Sequence, residues 1–129
     1  MATLVFTVEA SGVFCSSVQL AIPNHPCGQP HGYTYQVTAA VQTQHLDEHG
    51  FAIDYDALQG MLSNLCAALD HQHLNDHPAF QQRAPSCEHV AAWFHQQLCD
   101  KFSWITPHTL KIEICTKPGV KVSVTAINQ

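Results

Sequence analysis

The stretch Cys27-Gly28-Gln29-Pro30-His31-Gly32-Tyr33-Thr34-Tyr35-Gln36-Val37-Thr38-Ala39-Ala40-Val41 decides the fold. Its first half is a Gly/Pro turn that carries a thiol and an imidazole. Its second half alternates, with Tyr33, Tyr35, Val37, Ala39 and Val41 on one face. A period of two places one side-chain set on a core and the other in solvent, so Tyr33 to His45 is predicted to be a strand. Upstream, Thr3 to Leu20 alternates in the same way, with Leu4, Phe6 and Val8 set against Val5, Thr7 and Glu9. Ser11-Gly12 suggests a break or bulge in that strand. The two strands read as a hairpin whose connection, Pro23 to Pro30, holds Cys27.

Downstream the period changes. Asp47 to Gly50 is a polar turn, and Phe51-Ala52-Ile53 reads as a short extended piece. Asp54 is a good N-cap, and Leu58, Met61, Leu62, Leu65 and Leu69 then recur at helical spacing. This helix is expected to end between Leu69 and His73. Leu74 to Pro85, with two prolines, reads as an irregular loop. Ser86 caps a second helix, with Glu88 two positions on, an imperfect capping box. Its buried face is Val90, Trp93, Phe94, Leu98 and Phe102. Thr109 to Cys115 and Val120 to Ile127 are two further strands around the turn Lys117-Pro118-Gly119. The order β-β-α-α-β-β predicts an α+β fold, with a four-stranded antiparallel sheet and two helices on one face.

The chain has 129 residues, the size of one domain spanning 1–129. It is 46% hydrophobic and 12% charged with a net charge of -5, which supports a core and argues against disorder. Five Lys and Arg against ten Asp and Glu argue against a nucleic-acid surface and an anionic membrane surface. The low charge for this length points to surface covered by other copies of the chain. No run reaches the ~18 apolar residues of a membrane span. Met1 to Glu9 lacks a basic n-region and runs straight into a strand pattern, unlike a signal peptide. Cys15, Cys27, Cys66, Cys87, Cys99 and Cys115 form no Cys-x-x-Cys pair, which suggests reduced thiols in a cytoplasmic protein.

Three places carry candidate chemistry. Asp70-His71 lies where the first helix ends. A carboxylate beside an imidazole holds one tautomer and suits a general acid or base, although a helix C-terminus also favours histidine through its dipole. Cys27 near His31 is either a reactive thiol or a small residue filling a turn. His25 and His31 offer two imidazoles to a metal, across a gap that contains prolines. Glu88 suits the dipole at a helix start. Glu113 alternates with Ile112 and Ile114 and is placed on the solvated face. Trp93 and Phe94 are placed in the core.

Together these residues resemble the 6-pyruvoyl-tetrahydropterin synthase and 6-carboxytetrahydropterin synthase family, over nearly the whole chain. Asp70-His71-Gln72-His73-Leu74-Asn75 is similar to the family's Asp-His-x-x-Leu-Asn signature. Pro85-Ser86-Cys87-Glu88 is similar to its Pro-Thr-x-Glu segment. Cys27-x-x-x-His31-Gly32 is similar to its Cys-x-x-x-His-Gly-His segment, and Phe14-Cys15-Ser16-Ser17-Val18 to its Phe-x-Ala-Ala-His strand. The resemblance implies the tunnelling fold and a lyase-type activity on a pterin. It also implies proton transfer by Cys27, Asp70 and His71, and a ring of subunits, as a trimer or dimer of trimers, with active sites between neighbours. The segment Ser86, Cys87 and Glu88 would help to hold the pterin ring.

Two features depart from the family. Its zinc is held by three histidines, which fall on Val18, His31 and Tyr33. Only His31 is retained, so no zinc is expected unless His25 or another residue substitutes. The family's ring-binding glutamate falls on Ile114. Tyr33 becomes a candidate substrate-binding donor in place of the metal. Three readings follow: a pterin-directed lyase or isomerase working without zinc, a non-catalytic pterin- or purine-binding or assembly module, and a zinc enzyme with a rearranged site.

Overall fold

The computed structural model of the protein describes residues 1–127. The two alternating stretches form β1 (Phe6–Val18) and β2 (His31–Thr43). They pair antiparallel without interruption, from Phe6 opposite Thr43 to Val18 opposite His31. The expected break at Ser11-Gly12 is absent, and Gly12 stands in register with Val37. The glycine answers a packing need instead. A Cβ at Gly12 would lie 2.9 Å from the Cys66 sulfur of the first helix, so the missing side chain lets helix and strand approach.

That helix, α1 (Tyr55–Leu69), starts where the Asp54 carboxylate accepts the Ala57 N–H at 3.0 Å. The extended piece expected at Phe51–Ile53 forms no strand. After α1 the chain makes a two-residue strand, β3 (Gln72–His73), parallel to β1 through Ser16 and Ser17. Leu74–Asp76 and Pro78–Phe80 are single 3-10 turns that bury Leu74 and Phe80. The second helix, α2 (Cys87–Lys101), is capped by the Ser86 hydroxyl, which accepts the His89 N–H at 3.2 Å. The third helical position, which closes a capping box, is therefore His89 and not Glu88. Then come β4 (Leu110–Lys117), antiparallel to β2, and β5 (Val120–Val124), antiparallel to β4.

The sheet thus has five strands in the order β3-β1-β2-β4-β5 and is mixed, which corrects the expected four-stranded antiparallel sheet. Two residues contain one alternation at most, so β3 has no periodic signal of its own. Both helices lie on one face, α1 over β1 and α2 over β4 and β5. Beneath them Phe14 stacks on Tyr35 with ring centroids 4.4 Å apart, and Phe94 joins from α2 at 5.9 Å. Leu58, Leu62, Leu98, Leu110, Ile112 and Ile114 are fully buried around this stack. The opposite face carries small and polar groups, among them Ser11, Cys15, Thr34, Gln36 and Glu113. Val13 is an exposed apolar exception there. All six cysteines are free thiols. No helix is long and apolar enough to cross a membrane.

Candidate functional site

The Asp70–His71 pair is built by the way α1 stops. Asp70 is the C-cap and His71 follows with φ of 56°, in the left-handed region. A residue with a Cβ is disfavoured there by about 1–3 kcal/mol, so the neighbouring bonds must impose it. They are well formed. The His71 N–H donates to the Cys15 carbonyl at 2.6 Å, and the Cys15 N–H donates to Asp70 Oδ1 at 2.8 Å. The second carboxylate oxygen, Oδ2, lies 2.8 Å from His71 Nδ1. A carboxylate only accepts, so Nδ1 carries the hydrogen and Nε2 is left to exchange protons. The Cys15 amide, then the His71 ring, hold the Asp70 carboxyl below the usual carboxylate range. The His71 side chain is 83% exposed.

Cys27 lies in a 3-10 turn, Pro26–Gly28. The His25 Nδ1 accepts the Cys27 N–H at 3.0 Å, and the Cys27 carbonyl accepts from Leu20 N–H at 2.8 Å. Gly28 is obligatory, because a Cβ there would overlap the Ile22 carbonyl oxygen. Half-buried Cys27 shares its surroundings with Tyr33 on β2 and Cys87 on α2. Burial, and then the charges that Cys27 and Cys87 would carry, raise the Tyr33 phenol above its ordinary value. Burial, followed by Glu88, likewise raises the Cys87 thiol, against a hydrogen bond with Thr116. The Tyr33 O–H is therefore a donor at neutral pH.

Cys27 and Asp70–His71, paired by the sequence, stand in different surroundings within one protomer. Asp70 and His71 grip β1 on the edge away from β2, while Tyr33 is on β2 beneath the start of α2. Two strand spacings, about 10 Å, separate β3 from β2. A shallow open groove of about 600 Å³ includes Cys15, Ser17, Gly32, Tyr33, His71 and His73 but not Cys27. Tyr33 borders both neighbourhoods.

Of the expected ring-holding residues, Ser86 spends its hydroxyl on the helix cap, Cys87 faces the Tyr33 neighbourhood, and Glu88 is exposed in the first turn. Sequence reasoning missed Ser17 and His73, whose Oγ and Nδ1 lie 2.8 Å apart and reinforce the short β3–β1 pairing. It also missed Gln19, because a single exposed glutamine has no pattern around it.

The family model described as 6-pyruvoyl tetrahydropterin synthase matches residues 7–126. The chain belongs to the 6-pyruvoyl tetrahydropterin synthase family. A 56-residue stretch is 36% identical to the 6-carboxy-5,6,7,8-tetrahydropterin synthase of Bacillus subtilis, spanning 43% of this chain and 36% of that protein. The fold is similar to that of Caenorhabditis elegans 6-pyruvoyl tetrahydropterin synthase, with a TM-score of 0.82 at 20% identity, over 98% of this chain and 99% of the other. The Plasmodium falciparum 6-pyruvoyl tetrahydropterin synthase is similar at a TM-score of 0.76 and 16% identity, over 93% and 96% of the two chains.

Within the 6-pyruvoyl tetrahydropterin synthase family framework, the positions associated with zinc do come together. Val18 pairs with His31 across the strands, and the Tyr33 ring meets His31 edge-on at 4.9 Å. The donors there do not fit a tetrahedral zinc. Val18 is buried and has no donor atom and Tyr33 holds its proton, so His31, whose Nδ1 donates to the Gln29 carbonyl at 2.7 Å and leaves Nε2 free, is the one imidazole at these three positions. His25 is exposed and already uses Nδ1 on the Cys27 amide. Among the described residues no three His, Cys, Asp or Glu side chains gather closely enough to hold a metal ion. Ile114, at the expected glutamate position, is buried under the helices. Glu113 faces the other side of the sheet, 4.0 Å from Lys111 and 3.8 Å from Lys121.

Proposed function

We propose that this protein acts on a pterin or a related heterocycle, as a lyase or isomerase that moves protons with Cys27 and the Asp70–His71 pair and without the family's zinc. One observation carries the reading. Both oxygens of Asp70 are committed, one to the Cys15 amide and one to His71 Nδ1, and the exposed imidazole keeps Nε2 for a substrate. That is how a carboxylate prepares a histidine for general acid–base work.

The chemistry follows from what each group can give. His71 Nε2 takes a proton from carbon next to a carbonyl on the ligand's side chain. The Cys27 thiol exchanges a second proton. The Tyr33 O–H donates to the oxygen on which charge develops. A metal ion in that place supplies several kcal/mol of charge stabilisation, more than one phenol. An aldol-type cleavage or a tautomerisation therefore suits this chain better than elimination of triphosphate. Ser86, Cys87 and Glu88 at the start of α2 border the ring.

The active arrangement is an oligomer, a trimer or dimer of trimers, in which His71 of one protomer serves the Cys27 neighbourhood of the next. Two features support this reading. The two groups stand in different surroundings within one chain, and most of the outer edge of β1, along with β5, is open to strand pairing. Free thiols fit a single-domain cytoplasmic protein.

Turnover of candidate dihydropterins tests the proposal. Cys27→Ala and His71→Ala should each lower kcat by about 10²-fold or more. Unchanged turnover in either variant removes that residue from the mechanism. Metal analysis of untagged protein should find no stoichiometric zinc, and zinc that is lost on His31→Ala would restore the metal mechanism. A second reading, a binding or assembly module without catalysis, is favoured by Ile114, because the carboxylate expected to pair with a pterin ring is missing. Ring binding without turnover would select it.

A further inference from the structure

We infer that Asn75 and Gln19 are positioning residues for Cys27, joined to it by a continuous line of hydrogen bonds from the Asp-His segment. Asn75 follows β3 by two residues and uses its side chain where a longer strand would use its backbone. Its Oδ1 accepts the Gln19 N–H at 2.9 Å, and its Nδ2 donates to the Gln19 carbonyl at 2.7 Å. A single amide side chain thus continues the parallel pairing of β3 with β1 past Ser17. The Asn75 backbone is itself held, since Gln81 Nε2 donates to its carbonyl at 2.9 Å and to the His77 carbonyl at 3.0 Å.

From Gln19 two bonds reach the turn that carries the thiol. Gln19 Nε2 donates to the Gly28 carbonyl at 2.8 Å. The next residue, Leu20, donates its N–H to the Cys27 carbonyl at 2.8 Å. Cys27 is therefore gripped at its own carbonyl and at the following one, and both grips depend on where Asn75 places Gln19. The other hydrogen bonds of the turn are the His25 ring at the Cys27 amide, the Gly28 N–H to the His25 carbonyl at 2.8 Å and the Gln29 N–H to the Pro26 carbonyl at 3.2 Å, all made inside the turn, and one bond from His31 Nδ1 at the start of β2 to the Gln29 carbonyl at 2.7 Å. Without Asn75 and Gln19 the turn is fixed mainly to itself, and the half-buried thiol swings open.

The inference rests on the reading of Cys27 as the reactive thiol, but its test needs no substrate. Iodoacetamide alkylation of the full chain is followed cysteine by cysteine with peptide mass spectrometry, and Cys115 on β4 serves as the reference. Asn75→Ala and Gln19→Met should each raise the Cys27 alkylation rate about fivefold, the factor one net hydrogen bond contributes to a local opening. Cys115 should keep its rate. Gln19→Met preserves length at an exposed position and removes only the donor, so it guards against misfolding. The double variant should open Cys27 no further than the faster single variant, because the bonds act in series. An unchanged or slower Cys27, a parallel rise at Cys115, or multiplicative effects in the double variant would overturn the inference. Absence of pterin turnover with a fivefold rise at Cys27 would sink the functional reading and leave the positioning role standing.

Discussion

His71 shows at one position how stability yields to a site. Its left-handed φ of 56° suits glycine, yet an imidazole stands there. His71→Gly should melt higher than His71→Ala by about 1 kcal/mol, because only alanine keeps the Cβ that makes this φ costly. Thermal unfolding of the two variants checks this, and equal stabilities would mean that the backbone is not strained. Asp70 links the same site to pH. Its carboxyl is held below the usual range by the Cys15 amide and the His71 ring, so its stabilising contribution is present above about pH 4 and disappears as pH falls through the native value. The gap in Tm between the parent and Asp70→Asn should thus close as pH falls below about 4. A constant gap would show that the charge is irrelevant. Gly12→Ala should destabilise by about 1–3 kcal/mol through contact with the Cys66 sulfur, and Cys66→Ala should relieve most of that cost.

At the scale of elements, α2 carries both core and candidate site. Ser86→Ala should cost about 1 kcal/mol by freeing the His89 amide, as read from urea unfolding. It should also disturb the helix start on which Cys87 is placed. Phe94→Ala, by contrast, removes a ring from the Phe14–Tyr35 stack and should cost about 3–5 kcal/mol. These elements were readable in advance because each is long enough to repeat its pattern. Tyr35, Val37, Ala39 and Val41 alternate through four residues that are all buried, and Leu58, Leu62, Leu65 and Leu69 mark one helical face. β3 was unreadable, because its two residues are held by pairing with Ser16 and Ser17 and by the Ser17–His73 bond, none of which is local. The glycine of Gly12 misled for the same reason, since its partner is Cys66, fifty-four residues away in the chain.

For the whole molecule, the different surroundings of Cys27 and Asp70–His71 set the decisive question. If each site takes its thiol from one protomer and its imidazole from another, inactive Cys27→Ala and His71→Ala chains should recover turnover when refolded together. Recovery absent from mixed oligomers would mean that both groups act within one chain. Light scattering should find trimers or hexamers at micromolar concentration, and a monomer would remove the shared site.

The sequence by itself determined the hairpin, both helices, the C-terminal strand pair and the family, because period, caps and short motifs are properties of neighbouring residues. It also identified Val18 and Tyr33 as poor zinc donors, since donor chemistry belongs to the residue type. Only the tertiary structure decided the mixed sheet, the packing role of Gly12, the bonds of Asn75 to Gln19 and the different surroundings of thiol and imidazole. Those depend on which distant segments meet, and no local pattern in the chain encodes that meeting.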